Sequence, residues 1–303
     1  MMRIALLCAA PLLLAATSTG PADLAALSDE FTGSQLSPEW RRFETLYGWP
    51  DKLKALDVGT TTPGALHLQP YDSAWVRDRN ASFLFKEVTG DFDVRARLRV
   101  RGADGPIPGG TWSLGGLMVR MPNPNRADAW EPRRENWHFL TTGVGHVPGQ
   151  VMTETKSTYN SSSHLKLRPF VSGWVELRLV RVGNAIFALA RPDGGDWEVR
   201  DRFYRMDAPP ATQVGLIAYT SSDDEKDVRD NHEIENLRVK ADLRVDMFMD
   251  VDWVRFSRPI TAKSTAEARV LDPIAAWYAQ VNGDNALTDP NLDETDLLRL
   301  LGE

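Results

Sequence analysis

The sequence is poor in cysteine, and this shortage limits its chemistry before any motif is considered. Among 303 residues there is one cysteine, Cys8. A single thiol cannot close a disulfide within the chain, and a multi-cysteine metal site is excluded. Long apolar runs are missing too: beyond the first twenty residues, no stretch reaches the roughly 18 apolar residues of a membrane-spanning helix.

Basic charge is also scarce. Lys and Arg total 35 against 42 Asp and Glu, which gives a formal net charge of −7 at pH 7. Phosphate backbones are bound by clustered basic charge, so this composition argues against a nucleic-acid partner. The hydrophobic share of 42% is typical of a globular chain with a large core. Ten tryptophans are present, and such rings serve first as buried anchors and second as stacking platforms for sugars.

The first twenty residues have the pattern of an export signal. Arg3 supplies a positive start, an apolar run covers residues 4–16, and small residues then offer a cleavage site. We therefore predict a signal peptide over residues 1–20 and a secreted or periplasmic mature protein. An N-terminal membrane anchor is the alternative. Leu7 argues against lipidation of Cys8, because lipidation signals have a small residue at that position.

The body of the chain predicts many short strands. Residues 91–100 read DFDVRARLRV, in which charged and apolar side chains alternate as in a strand with one wet face. Gly183-Asn184 joins two apolar runs and is typical of a tight hairpin. Because Gly and Pro turns separate runs of this length, we predict an all-β antiparallel sandwich. The other predicted strands span residues 114–121, 136–142, 175–180, 185–190, 197–203 and 213–219.

The end of the chain changes character. Residues 272–281 combine a cap residue, a proline at the first helical position and helix formers, and residues 292–301 have a second short amphipathic pattern. We therefore divide the mature chain into a β-sandwich over residues 21–260 and a helical extension over residues 261–303. The extension is expected to pack on the sandwich or to bind a protein partner.

Several short motifs, taken in order, resemble those of concanavalin A-like sandwiches. Residues 27–31, LSDEF, and 36–40, LSPEW, resemble the opening of secreted members of this superfamily. Residues 82–98 resemble an internal strand pair of an uncharacterised bacterial secreted family related to the C-terminal domain of β-xylosidases. Residues 249–256, MDVDWVRF, are similar to the final strand of laminarinase-like β-glucanases. Further motifs that look like the bacterial family lie at residues 115–120, 135–137, 174–193 and 213–218.

The resemblance implies a two-sheet antiparallel jelly roll whose concave face often binds sugars, but it does not imply catalysis. Laminarinase-like enzymes need a strand that presents Glu-x-Asp-x-x-Glu, because the alternation gathers three carboxylates at one glycosidic bond. The nearest acidic alternation in this chain is Glu233-Ile234-Glu235-Asn236, which lacks the third carboxylate. The enzymatic mechanism of the family is therefore not carried over, and no catalytic residue is assigned.

A sugar site needs aromatic rings for the apolar face of a pyranose and hydrogen-bonding groups for its hydroxyls, converging in one pocket. The middle strands and loops contain both kinds of residue in alternation, so that one set faces the core and the other faces outward. The alternation does not decide which set is which. The predicted ligand-binding residues are Trp112, Trp130, Asn136, Trp137, His138 and Tyr159.

The resemblance also implies a structural calcium ion where the two chain ends of the sandwich meet. Its ligands would be Asp29, Glu30, Asp250 and Asp252. Asp250 and Asp252 alternate in a predicted strand and project to the same side, where they repel each other unless they are solvated, paired or metal-bound. Solvated carboxylates, or partners for arginines, are the alternative. No other cofactor is expected.

Three functions follow from these observations. The leading one is a secreted, non-catalytic carbohydrate-binding or accessory protein that recognises a polysaccharide or glycan on its concave sheet face. The second is a glycoside hydrolase or lyase with an atypical catalytic pair, for which Glu135, Glu154 and His138 are the candidates. The third is an envelope module that binds protein through the helical extension. It predicts that loops fill the concave face and that the extension leaves an exposed apolar patch.

Overall fold

The computed structural model describes residues 23–222, 231–259, 287 and 289–303. The predicted signal peptide and the predicted helix at 272–281 lie outside these residues. The strands are β1 (Arg41–Arg42), β2 (Leu53–Val58), β3 (Leu66–Pro70), β4 (Ser82–Thr89), β5 (Phe92–Arg101), β6 (Ser113–Arg120), β7 (Trp137–Val144), β8 (Val151–Tyr159), β9 (Ser162–Pro169), β10 (Val175–Val182), β11 (Ala185–Pro192), β12 (Glu198–Tyr204), β13 (Ala211–Thr220) and β14 (Phe248–Ser257). The helices are a 3-10 turn (Ala25–Leu27), α1 (Phe43–Tyr47), α2 (His232–Leu237) and α3 (Glu294–Leu300).

The strands form two antiparallel sheets of seven. Sheet I has the order β1-β4-β13-β6-β7-β8-β9, and sheet II has the order β12-β11-β10-β5-β14-β3-β2. A core of apolar side chains from both sheets fills the space between them, with Leu117 and Leu216 from sheet I and Leu98 and Leu177 from sheet II. The predicted all-β, two-sheet jelly-roll sandwich is therefore confirmed. No helix in the described part of the chain is long and apolar enough to cross a membrane.

Every strand predicted from the sequence is present, with bounds that agree to within two residues. In β5, Val94, Ala96 and Leu98 are fully buried between the sheets while the arginines between them point outward. One resemblance needs refinement: β4 and β5 are consecutive in the chain but belong to different sheets. The turn at Gly90, whose φ is 78°, carries the chain from sheet I to sheet II.

The outer face of sheet I is apolar as well. Phe83, Phe85, Phe139 and Ile217 project from it, and the chain covers them with other segments, including α1 and the fully buried Trp75. Both faces of the central strands are thus covered, and every residue of β6 and β7 is buried. This double burial explains why their sequences show no clean polar alternation.

The outer face of sheet II is covered in part by the C-terminal helix α3. Leu297 and Leu301 pack against a cluster on β10 and β11, and the Asp293 side chain caps the helix by accepting a hydrogen bond from the backbone of Asp296. The fully buried Arg178 donates two hydrogen bonds to Asp93 and one, 2.8 Å long, to Glu303. The second helix predicted in the extension is therefore confirmed, and it packs on the sandwich.

The sequence pattern was misleading in two places. The acidic alternation Glu233-Ile234-Glu235-Asn236 lies in helix α2, where Asn231 caps the first turn. Carboxylates two residues apart on a helix point to different sides, so this segment cannot present them on one face. Strands β8 and β9 were missed because VMTETKSTY and SSHLKLRP contain few apolar residues.

On sheet II, the buried carboxylate of Asp250 interacts with side chains of the two neighbouring strands. Asp250 on β14 lies opposite His67 on β3 and opposite Arg99 on β5. Its carboxylate, fully buried, accepts hydrogen bonds from Thr62, His67, Arg99 and Arg101 at 2.8–2.9 Å. Burial alone would raise the pKa of Asp250, but the donors, foremost His67, outweigh it and hold this pKa far below its usual range.

We predict that Asp250→Asn lowers the free energy of unfolding by about 3 kcal/mol at pH 7, because two guanidinium groups lose their buried partner. Since the pKa is depressed in the folded state, this contribution is present above pH about 4 and is lost as the pH falls. The gap between wild type and variant should therefore begin to narrow below pH about 4, and it closes only as the pH falls through the lowered pKa of the folded state. Urea denaturation between pH 7 and pH 3 measures this. The control is Asp252→Asn, whose half-exposed ion pair with Arg97 is worth about 1 kcal/mol or less; equal losses in both variants would contradict the prediction.

A second prediction concerns the spacing of the strands in sheet I. A Cβ atom added at Gly215 in β13 would overlap the Leu84 carbonyl oxygen of β4, which is backbone and cannot swing away. We expect Gly215→Ala to lower the free energy of unfolding by about 2 kcal/mol or more, as overpacking does. At Gly105 the added Cβ would meet nothing within 4 Å, so Gly105→Ala is the matched control. Denaturant unfolding of the two variants tests the assignment, and equal stabilities would refute it.

Candidate functional site

A cavity of about 360 Å³ opens on the outer face of sheet I, where the covering segments leave part of the sheet free. Its floor comes from the sheet, with Tyr219 on β13, Lys156 on β8 and Leu165 on β9. Its walls come from the segment around Arg77, from Trp112 just before β6, and from the chain on either side of residues 223–230. The volume lies within the range of roughly 300–1,000 Å³ that is usual for small-molecule sites.

The floor holds a buried polar triad. Glu154 and Lys156 alternate in β8, so both project to the outer face of sheet I, where the Lys156 Nζ lies 2.7 Å from a Glu154 oxygen. The Tyr219 hydroxyl donates a hydrogen bond to the other oxygen of Glu154. Burial, together with the charge of Glu154, raises the pKa of Tyr219 well above its usual value. The phenol is therefore a fixed donor rather than a proton source.

Lys156 is held over the floor by its surroundings. Its ammonium group donates to the Trp75 carbonyl at 3.1 Å and lies 5.0 Å from the centre of the Phe139 ring. This cation–π contact and the ion pair with Glu154 keep a charged group in a nearly dry environment. The arrangement places a buried ion pair, rather than an isolated charge, beneath the cavity.

Two wall residues have backbone conformations that are unusual for their type. Trp112 has a φ of 47° and Arg77 a φ of 56°, both in the left-handed region. Hydrogen bonds fix each of them: the Trp112 amide donates to the Gly145 carbonyl at 2.9 Å, and the Arg77 amide donates to the Ser163 hydroxyl at 2.7 Å. Such conformations cost of order 1–3 kcal/mol and are concentrated at ligand sites. Trp112 also packs against the exposed His146, with ring centres 6.2 Å apart.

Of the six residues predicted to bind a ligand, Trp112 lines this cavity. The alternation in β7 sends Trp137 to the outer face, where its ring stacks on Phe139 and is fully buried. His138 points between the sheets and stacks on Phe203, and burial, followed by the charge of Arg205, lowers its pKa to about 3. Both side chains are therefore inaccessible to a ligand.

The remaining three predicted ligand residues lie away from the cavity lining. Trp130 is in the loop between β6 and β7 and packs against the apolar cluster on the outer face. The side-chain oxygen of Asn136 accepts hydrogen bonds from the backbone amide of Asn160 and from the Arg205 guanidinium, at 2.8 and 2.6 Å. Tyr159, which is exposed, stacks under the same Arg205 at 4.3 Å. Asn136 and Tyr159 are thus brought together by Arg205 rather than by the cavity.

The four carboxylates predicted to hold calcium are not gathered at one point. Asp29 lies opposite Val254, four residues along β14 from Asp250, and accepts a hydrogen bond from the Trp40 indole. The Asp250 carboxylate already accepts the four hydrogen bonds described above. Glu30 and Asp252 are bonded to arginines, as the alternative interpretation expected. No group of three His, Cys, Asp or Glu side chains suited to a metal occurs within the described residues.

The residues considered for catalysis are also separated. Glu135 is buried and receives two hydrogen bonds of 2.8 Å from the fully buried Arg120. Glu154 is fully buried beneath the cavity, and His138 is on the opposite side of sheet I. Hydrolysis by a pair of carboxyl groups needs both to flank the glycosidic bond, whereas no acidic residue lines the cavity among those described.

Sequence reasoning missed most of the cavity. Arg77, Arg79 and Tyr219 belong to no recognisable motif in the sequence. The usable signal was the pair Glu154 and Lys156, since alternation places both on one face of a strand. The positions of the wall residues depend on chain segments that have no regular pattern.

Comparison with known proteins identifies the fold. The GH43 protein BlXynB of Bacillus licheniformis superposes with a TM-score of 0.52 and 11% identity, over 76% of this chain and 39% of that one. A functionally unknown protein of Saccharomyces cerevisiae gives 0.49 and 15%, over 70% and 95% of the two chains. A pseudo β-1,3-glucanase of Mycobacterium tuberculosis gives 0.45 and 14%, over 76% and 97%. The chain matches no protein-family model and no curated protein sequence. The likeness to BlXynB is one of fold, a two-sheet antiparallel β-sandwich, as the motifs predicted.

Proposed function

We propose that this chain is a non-catalytic carbohydrate-binding protein that holds part of a glycan in the cavity on sheet I. The observation that carries the proposal is the composition of the lining. The half-buried indole of Trp112 stands beside the hydroxyl groups of Ser221 and Ser222, above the buried Tyr219 and Lys156. A pyranose offers an apolar face to such rings and hydroxyl groups to such donors and acceptors.

The non-catalytic part of the proposal rests on the carboxylates. Glu154 is neutralised by Lys156 and bonded to Tyr219, and Glu135 is clamped by Arg120. A general acid or nucleophile must reach the scissile bond, and both carboxyl groups are buried and occupied. The glycoside hydrolase alternative would need one of them to leave its partners.

The predicted export signal supports a location outside the cytoplasm, so the binding protein is proposed to be secreted or periplasmic. The envelope-module alternative depends on apolar residues of the extension that remain free. In α3, Leu297 and Leu301 are buried against sheet II, and Leu298 and Leu300 are partly buried there. Their use within the molecule favours glycan binding over protein binding through this helix.

We expect retention of the purified mature chain, about residues 21–303, on at least one polymer of a panel of soluble and insoluble polysaccharides. Trp112→Ala should weaken that retention at least about tenfold, because the ring against which the sugar packs is removed. Trp174→Ala is the matched control, since this half-buried indole lies between Arg97 and Arg99 on the outer face of sheet II. Affinity electrophoresis measures both variants, and thermal melting confirms that they are folded.

Three results would count against the proposal. Retention on no polymer would overturn it. An equal loss of retention in the two tryptophan variants would mean that the polymer does not bind in the cavity. Release of reducing ends from a retained polymer by the wild-type protein would replace the binding function with the hydrolase alternative.

A further inference from the structure

Helix α2 has the reverse of the orientation that is usual for a helix at a protein surface. Its polar residues Glu235 and Asn236 are buried, whereas its large aliphatic residues Ile234 and Leu237 are each 48% exposed. An amphipathic helix normally turns its apolar stripe to the core and its polar residues to water. In the described part of the chain, the reversed orientation leaves an apolar face open to solvent.

Hydrogen bonds on the buried side of α2 fix this orientation. The Asn236 side chain donates to the Asp78 carbonyl and accepts from the Asn80 amide, both at 2.8 Å. The Glu235 carboxylate forms an ion pair with Arg79 at 3.4 Å. Rolling the helix to hide its apolar side would leave these buried polar groups unpaired, which is unfavourable. The apolar side is therefore held outward.

The chain that follows α2 adds to the apolar face. Val239 is 40% exposed, Leu243 is 39% exposed, and Ala241 between them is exposed as well. Clustered exposed apolar side chains mark interaction surfaces, because monomeric proteins rarely leave them open to water. We call the four large residues of this cluster, Ile234, Leu237, Val239 and Leu243, the α2 patch.

Two charged residues lie on opposite sides of the exposed face of α2. At 3.6 residues per turn, Ile234 and Leu237 are neighbours on this face, with Glu233 on one side of them and Arg238 on the other. Glu233 is exposed and makes no ion pair with a described residue. The Arg238 side chain is 50% exposed although it contacts Glu235 at 3.1 Å. The face thus has an acidic side, an apolar centre and a basic side.

We propose that the α2 patch binds the same patch of a second copy of this chain about a two-fold axis. In a two-fold interface, one side of the patch meets the opposite side of its copy. An axis along the line through Ile234 and Leu237 brings each of these residues to its own counterpart. The same rotation brings Glu233 to Arg238 of the second copy, and it forms this pair twice. The charges on the two sides are therefore complementary in exactly one kind of partner, another copy of the face.

The small size of the patch predicts a weak dimer. A stable interface buries about 800 Å² on each partner, which is more than four half-exposed aliphatic side chains provide. We expect a Kd of about 10–100 µM. His232, the first residue of α2, lines the cavity on sheet I, so a dimer would hold two cavities near one interface and bind a polymer with avidity. That consequence rests on the proposed function, whereas the interface itself does not.

Sedimentation velocity of the mature chain, residues 21–303, measures the association in the absence of glycan, at concentrations from about 1 to 500 µM. Glu233→Arg and Arg238→Glu should each weaken the dimer about tenfold or more, because like charges then meet in both pairs. An equimolar mixture of the two variants should recover the wild-type affinity, since every arginine then meets a glutamate. Thermal melting confirms that both variants are folded.

A disulfide crosslink tests the position of the axis independently of the charges. Residues 21–303 contain no cysteine, so a single introduced thiol can link only two copies of the chain. Leu237→Cys places that thiol at the proposed axis and should give a disulfide-linked dimer under mild oxidation. Val171→Cys is the matched control, because Val171 is a similarly exposed aliphatic residue, at 45%, in the connection between β9 and β10.

Several outcomes would overturn the inference. A chain that stays monomeric at about 500 µM would mean that the patch is covered by another segment of the same chain or by a different partner. A dimer that survives both charge variants, or a mixture that does not recover, would place the contact elsewhere. Equal linkage through Leu237→Cys and Val171→Cys would indicate random collision. None of these outcomes bears on the proposed glycan binding, because no polysaccharide is present in the measurements.

Discussion

The apolar outer face of sheet I is the constraint on which the rest of this structure depends. A sheet in a sandwich usually turns one face to the core and the other to water. Here Phe83, Phe85, Phe139 and Ile217 make the second face apolar as well, and exposing it would cost roughly 1.5–3 kcal/mol for each large side chain. Helix α1 and the segment around Trp75 therefore cover that face. The candidate site lies where this cover is incomplete.

The same constraint explains the chemistry of the site. A pocket between a covered sheet and its covering loops is lined by aromatic rings, and any charged group drawn into it must find a partner. Lys156 and Glu154 neutralise each other and bond to Trp75 and Tyr219. Apolar cover and buried polar triad thus form one unit beneath the cavity.

Charge is distributed unevenly over the two sheets. On sheet II the arginines that alternate along β5 each meet carboxylates, and Asp250 alone accepts bonds from Arg99 and Arg101. Because each arginine is paired, this row of like charges stabilises the sheet, and the stabilisation decreases in acid as the carboxylates are protonated. At the cavity on sheet I, Arg77 has no such partner among the described residues.

The sequence by itself determined the fold class and most of the strands, because alternation in β5, β10 and β11 and the Gly183-Asn184 turn are local signals. It also predicted helix α3 from the short amphipathic pattern of residues 292–301, and the structure places the cap at Asp293. It missed β8 and β9, where polar side chains weaken the apolar period, and it could not tell that Trp137 and His138 are both buried. Only the tertiary structure decided those points, since burial depends on which segments cover a face. Arg77, Trp112, Lys156 and Tyr219 are far apart in the chain, and no local pattern encodes their convergence.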